Sequence, residues 1–363
     1  ARYAREVIAA LVARADPRAT LVLDPATPVP EGADGRSRPV RAPRFFMPLG
    51  AYGEKLFWEQ VGFRLAARRV GADVWYSPHF SMPLYPGCPT VISVHDMIPF
   101  SDPAYAGGPA ARAYFALVAR AARQAAAVVT LSFHAKGEIE RLLAIPGDRI
   151  HVVSPGVDDA FSPAQDPSAR ARAAERYRLP HRYLLYLGGA DARKNIGVLL
   201  RALALLPADA EIPPLAIVAG EPKAGQTDLF PDWRGQARRL GLGDRVHFVP
   251  RVAEEDLVTV YRGAEIFCFP SRAEGFGLTP LEAMACGAPT ICSNATSLPE
   301  AVGDAALLVG PDDTDGWARS ITRLAGDPDL RADLGRRGAA RARTFRWAET
   351  GSRVVEIIAL VGA

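Results

Sequence analysis

Residues 269–289 read Phe-Pro-Ser-Arg-Ala-Glu-Gly-Phe-Gly-Leu-Thr-Pro-Leu-Glu-Ala-Met-Ala-Cys-Gly-Ala-Pro. The apolar run Ile266–Phe269 just before it has the composition of a buried strand and stops at Pro270. A short loop with Glu274, Gly275 and Gly277 follows. A helix is expected to begin near Thr279, with Pro280 suited to its first turn. The amides exposed at such a helix start are left open to close approach by Gly275 and Gly277. That is a cradle for a diphosphate. Glu274 would stand beside whatever the diphosphate carries, and Glu282, one turn into the helix, would reach a neighbouring ribose. Taken singly, each glutamate also fits a solvated position; the pair in this strand–loop–helix setting carries the reading.

Working outward, strand-like runs alternate with amphipathic helical runs. In the second half they are Tyr183–Leu187, Leu215–Ala219, Val246–Val249, Ile266–Phe269, Thr290–Cys292 and Leu307–Val309. In the first half they are Ala19–Leu23, Val74–Ser77, Thr90–Val94, Ala127–Leu131 and Ile150–Ser154. Residues 53–70 place Phe57, Val61 and Leu65 at helical spacing, the expected core stripe of a helix lying on a sheet. Between the halves, Asp158–Pro180 is polar and strand-free, with one short helix. The expected class is α/β, with two Rossmann-like, doubly wound parallel sheets and ligand groups at the C-terminal strand ends, facing a central cleft. The expected boundaries are residues 1–160 for a first domain, 161–180 for a linker, 181–345 for a second domain and 346–363 for a last helix. Gly156, in Ser154-Pro-Gly-Val-Asp158, is expected to serve a turn at the interdomain hinge.

Bulk properties narrow the function. The chain has 363 residues, 49% hydrophobic and 23% charged, which fits two ordinary cores and not a disordered chain. A formal net charge of +3 is too small to point to nucleic acid. Cys88, Cys268, Cys286 and Cys292 form no C-x-x-C pair, which fits a reducing, cytoplasmic setting and speaks against a thiolate metal site. No apolar run is long enough to span a bilayer, and no signal peptide is visible.

The 269–289 motif, S-x-x-E-G-F-G-L-x-x-L-E-A-M-A-x-G-x-P, resembles the signature of the retaining family 4 glycosyltransferases of the GT-B fold. The likeness extends through Tyr186–Gly189 with Arg193-Lys194-Asn195, Val246–Val249 through Tyr261, Ser297–Glu300 through Pro311, and Thr344–Trp347 opening a last helix that crosses back to the first domain. It implies that Glu282 binds the donor ribose, that Glu274 contacts donor-sugar hydroxyls and that the amides of Phe276–Thr279 hold the diphosphate. It further implies that Lys194, with Arg193, neutralises the leaving phosphate. Gly188, Gly189, Gly275, Gly277, Leu278 and Arg251 are carried over as donor-binding positions. The sequence departs from many relatives at Gly188-Gly189, where they have Gly-Arg; Arg193 is expected to replace the missing guanidinium.

In the first half, His95 and Asp96 end the run Val91–Val94. A capping Asp and a hydrogen-bonded His explain them structurally; the resemblance implies instead that His95 meets the donor sugar and Asp96 lies on the acceptor side. A first strand and glycine-rich loop usual in relatives are not visible, so part of the site is expected to lie outside this sequence. Asp313-Thr-Asp315 is the nearest match to a metal-binding Asp-x-Asp, but it precedes a helix and reads as a cap. No cofactor and no metal are therefore expected. The expected partners are a nucleotide-sugar donor, with GDP-mannose the first choice over UDP- or dTDP-sugars, and a glycan or lipid-linked oligosaccharide acceptor. The arginine-rich runs Arg112–Arg123 and Arg336–Arg343 leave peripheral contact with the inner membrane face open. Three alternatives share parts of this pattern: a nucleotide-sugar 2-epimerase, a phosphorylase (which would need a pyridoxal lysine that no motif supports) and a non-catalytic sugar-nucleotide-binding subunit.

Overall fold

The computed structural model describes residues 2–13, 21–23, 37–39, 56–164, 166–220 and 228–363. It divides into two compact units, residues 1–156 with 346–363, and residues 157–345.

The second unit is built on six strands: β7 (Leu184–Gly188), β8 (Leu215–Ala219), β9 (Val246–Val249), β10 (Ile266–Phe269), β11 (Thr290–Ser293) and β12 (Leu307–Val309). Four of them have the expected bounds. All pair in parallel, in the order β12-β11-β10-β7-β8-β9. The central strands are buried on both faces: every residue of β10, an unbroken apolar run, and of β11, which includes Thr290 and Ser293, is inaccessible. Tyr186, Ile217, Cys268, Ile291 and Trp317 lie in one core cluster under the flanking helices. Residues 161–180 belong to this unit rather than standing apart as a linker. Asp166 caps a helix, Pro167–Tyr177, by accepting from the amides of Ser168 and Ala169. At the other end of the helix, Tyr177 Oη donates to Asp256 at 2.7 Å.

The first unit holds a four-stranded parallel sheet of β3 (Trp75–Ser77), β4 (Thr90–Ser93), β5 (Ala127–Thr130) and β6 (Ile150–Val152) in sequential order. A separate parallel pair joins β1 (Leu21–Leu23) to β2 (Ser37–Pro39). β2 is a polar strand containing a proline, which no hydrophobic pattern announces. The last helix, Trp347–Gly362, packs in this unit against the helix Arg2–Ala13. Their approach depends on Gly351, where a Cβ would come within 2.0 Å of the Ala10 Cβ.

Two local expectations give way. Phe57 is buried, but Val61 and Leu65 are 40% and 49% exposed. A π-helical turn over Trp58–Gly62 adds a residue to the cycle and rotates Glu59, Ala66 and Ala67 inward in their place. Residues 53–55 of that run lie outside the described residues. Gly156 does not adopt a left-handed turn; its role is close approach, since a Cβ there would lie 2.1 Å from the Trp347 amide nitrogen.

Candidate functional site

In the second unit, β7 and β10 are neighbours, yet the chain leaves them toward opposite edges of the sheet, β7 to β8 and β10 to β11. This is the topological switch point, the place beyond the C-terminal strand ends at which open α/β sheets bind ligands. Gly188 ends β7; the loop after it carries Gly189 and the 3-10 turn Ala192–Lys194, and leads through Asn195 into the helix Ile196–Leu205. The loop after β10 carries Glu274 and leads into the helix Leu278–Ala285. The two most sequence-distinctive loops of the chain therefore meet at one point.

They meet through charge. Lys194 Nζ lies 2.5 Å from Glu274 Oε1, and Arg193 Nη1 lies 3.2 Å from Glu274 Oε2, so both carboxylate oxygens face a cation. Arg193 Nε is also 3.5 Å from Asp191 Oδ1, and its Nη1 donates to the Ala273 carbonyl. The Lys194, Glu274 and Arg193 side chains are only 14%, 15% and 17% exposed, respectively. Such shielding separates the cluster from an ordinary surface bridge. Lys194 Nζ is further held 5.3 Å above the centre of the Phe269 ring.

Glycines and hydroxyls fix the loops. A Cβ on Gly188 would meet Tyr186 Oη at 2.8 Å, and one on Gly189 would meet Asp191 Oδ2 at 2.8 Å. Tyr186 Oη donates to the Gly189 carbonyl at 2.6 Å, and burial raises its phenol well above the usual value. Glu274 N donates to Thr296 Oγ1 at 3.0 Å. Ser297 Oγ reaches the carbonyls of Glu274 and Phe276 at 2.8 and 2.9 Å. Thr296 and Ser297 thus set the loop that presents Glu274; from sequence they are only small polar residues before a helix. Gly277 sits at φ 122°, and a Cβ there would be 2.8 Å from Leu298 Cδ2. Gly277→Ala is therefore expected to destabilise this unit by about 1–3 kcal/mol, readable as a lowered melting temperature.

The structure brings Gly188 at the end of β7, the loop residues Gly189, Arg193, Lys194, Glu274, Gly275, Phe276 and Gly277, and Leu278 and Thr279 at the start of the helix Leu278–Ala285, to this switch point. Glu282 lies one turn into the same helix and accepts from the buried Tyr261 hydroxyl at 3.3 Å. Tyr261 was visible in sequence only as part of a segment. Arg251 is exposed after β9, the edge strand two places from β7. Asp313 caps the helix Thr314–Gly326 by accepting from the Gly316 amide at 2.8 Å. In the first unit, His95 and Asp96 follow β4. His95 Nε2 is 3.0 Å from the Pro78 carbonyl and its ring meets Tyr3 edge-on at 4.6 Å. Burial holds its imidazole below the usual histidine value. Asp96 Oδ1 accepts from Ile98 N at 3.1 Å, ahead of the short helix Ile98–Ser101.

The family model described as Glycosyl transferases group 1 matches residues 169–341, and the one described as Glycosyltransferase Family 4 matches residues 1–161. The O-antigen chain mannosyltransferase B of Escherichia coli is 32% identical over 289 residues, covering 79% of this chain and 74% of that protein. The chain belongs to the family 4 glycosyltransferases of the GT-B fold. Another relative of this glycosyltransferase, the serotype-specific mannosyltransferase WbdA of Escherichia coli, is 31% identical over 270 residues. That match covers 74% of the chain but only 33% of WbdA, so the chain spans about a third of it. Sucrose-phosphate synthase from Thermosynechococcus elongatus superposes with a TM-score of 0.75 at 23% identity, over 99% of this chain and 92% of that one. At that identity the likeness shows the fold alone. Among the described residues, no helix is long and apolar enough to cross a membrane.

Proposed function

We propose that this glycosyltransferase moves a hexose, in the first instance mannose from GDP-mannose, onto a hydroxyl of a glycan or lipid-linked acceptor, with retention of anomeric configuration. The observation that carries this reading is the Arg193–Glu274–Lys194 cluster at the switch point, two cations and a carboxylate beside a glycine-lined helix start. Lys194 and Arg193 neutralise charge on the departing diphosphate, the helix start at Phe276–Thr279 receives its oxygens, and Glu282, steadied by Tyr261, binds the ribose. These groups act without a metal or other cofactor in this scheme. His95 meets the donor sugar and Asp96 lies on the acceptor side.

Retention proceeds by front-face substitution, in which the C1–O bond to the diphosphate breaks as the acceptor oxygen bonds C1 on the same face. The acceptor proton passes to the departing phosphate oxygen. Glu274 orients and stabilises rather than attacks, because both its oxygens are already committed to cations. The names of the Escherichia coli relatives support mannose and a polysaccharide acceptor. The four free cysteines, three of them buried, fit a cytoplasmic site of action. Peripheral contact with an anionic membrane through the arginine-rich helices belongs to the same proposal.

The test is release of nucleoside diphosphate from a panel of GDP-, UDP- and dTDP-sugars with EDTA present. GDP-mannose turnover that EDTA leaves intact, with an α-linked product, is the expected outcome. An isomerised sugar nucleotide, or turnover that needs a divalent cation, would replace this mechanism with another.

A further inference from the structure

Between Lys194 and the helix it precedes stands Asn195, which is 1% exposed and has a left-handed backbone, φ 57° and ψ 36°. Few side chains other than glycine adopt that region, and asparagine is one that does. The conformation reverses the chain between the 3-10 turn Ala192–Lys194 and the helix Ile196–Leu205. It turns the asparagine amide inward, where Nδ2 lies 2.6 Å from the Pro311 carbonyl and 3.3 Å from the Pro270 carbonyl. Pro270 follows β10 and Pro311 follows β12, so one buried amide joins the loops after three strands of the sheet. The Arg193 carbonyl, two residues back, accepts from Arg272 N at 2.8 Å, a second tie between the same two loops.

We propose that Asn195 is a positioning residue for the transfer reaction, setting where Lys194 Nζ stands relative to Glu274 and to the leaving phosphate. The inference rests on the role given to Lys194 in the proposed function. Lys194 has a long flexible side chain, and its effect on a developing charge depends on where its Cα is held. The Lys194 amide donates to the Asp191 carbonyl at 3.0 Å within the 3-10 turn, and Asn195 ends that turn, its own amide donating to the Ala192 carbonyl at 3.1 Å. Asn195 supplies two things at once: the left-handed turn, and the amide that anchors that turn to the β10 loop carrying Glu274. The two are separable, because glycine accepts the turn but has no amide.

Asn195→Gly accepts the same left-handed backbone and removes the buried side chain with its two carbonyl bonds. We expect kcat with saturating donor to fall about tenfold to a hundredfold, the cost of a displacement near 1 Å at a reacting centre, with donor KM changing by less than about threefold. If Asn195 acts through Lys194, the double variant Lys194→Ala/Asn195→Gly should be no slower than Lys194→Ala alone. Two independent losses that multiply in the double variant would overturn the proposal. So would an Asn195→Gly protein with a lowered melting temperature but wild-type kcat per folded molecule, since that is what a merely structural amide gives. Failure of the parent reading looks different: the wild type would turn over no donor, or Lys194→Ala would turn over at the wild-type rate.

Discussion

Lys194→Ala is expected to lower turnover at saturating donor by about 10²–10³-fold while leaving the protein folded. The side chain is 14% exposed and its ammonium is fixed by Glu274 Oε1 on one side and the Phe269 ring on another. A cation held this way needs little reorganisation when charge develops on the leaving phosphate, which is why its removal acts on kcat more than on KM. Arg193 remains to neutralise Glu274, so the loop after β10 is not left with an unpaired carboxylate. A melting temperature within a few degrees of wild type should accompany the loss of rate. Lys194→Arg should recover little, because a planar fork cannot reproduce a compact ammonium seated over a ring and in line with a single oxygen. Turnover of the alanine variant within threefold of wild type would remove Lys194 from the chemistry.

How much of this was legible in the sequence depends on where each residue's partner lies. Glu274 and Lys194 could be read because their own neighbours announce them: a buried strand, glycines, then a helix start within a few positions. The parallel sheet could be expected because the strands of the second unit are mostly apolar runs between helices, and only one class of sheet accepts that. Asn195, Thr296 and Ser297 could not be read so. What they do depends on carbonyls and amides far off in the chain, as with Asn195 Nδ2 and the Pro311 carbonyl, 116 positions away. The exposure of Val61 and Leu65 was missed for a different reason, since periodicity assumes a uniform helix and the π turn at Trp58–Gly62 breaks that assumption. His95 illustrates a third limit. Its place after β4 is a matter of strand pattern, but its bond to the Pro78 carbonyl and its burial against Tyr3 belong to packing.

Glu274→Gln is expected to separate two properties that most active-site substitutions lose together. Turnover should fall by at least about a hundredfold, because the group that orients the donor sugar and offsets positive charge on it becomes neutral. Affinity for the free nucleoside diphosphate should rise. In the wild type, Arg193 and Lys194 face Glu274 and Asp191 within 2.5–3.5 Å, two positive charges against two negative. The amide leaves that set with one uncompensated cation, and a diphosphate entering it no longer competes with a carboxylate for Lys194. A tenfold tighter Kd, about 1.4 kcal/mol, is a reasonable size for the gain. Because glutamine has nearly the shape of glutamate, the backbone bonds from Glu274 N to Thr296 and from Ser297 to the Glu274 carbonyl are expected to persist. The gain should shrink as salt is raised, which a change of shape would not do. Calorimetry with the free diphosphate at two ionic strengths, beside a turnover assay on the same preparation, reads both effects. Weaker diphosphate binding would mean that Glu274 organises the cradle instead of opposing its charge. Undiminished turnover would mean that it does not face the sugar at all.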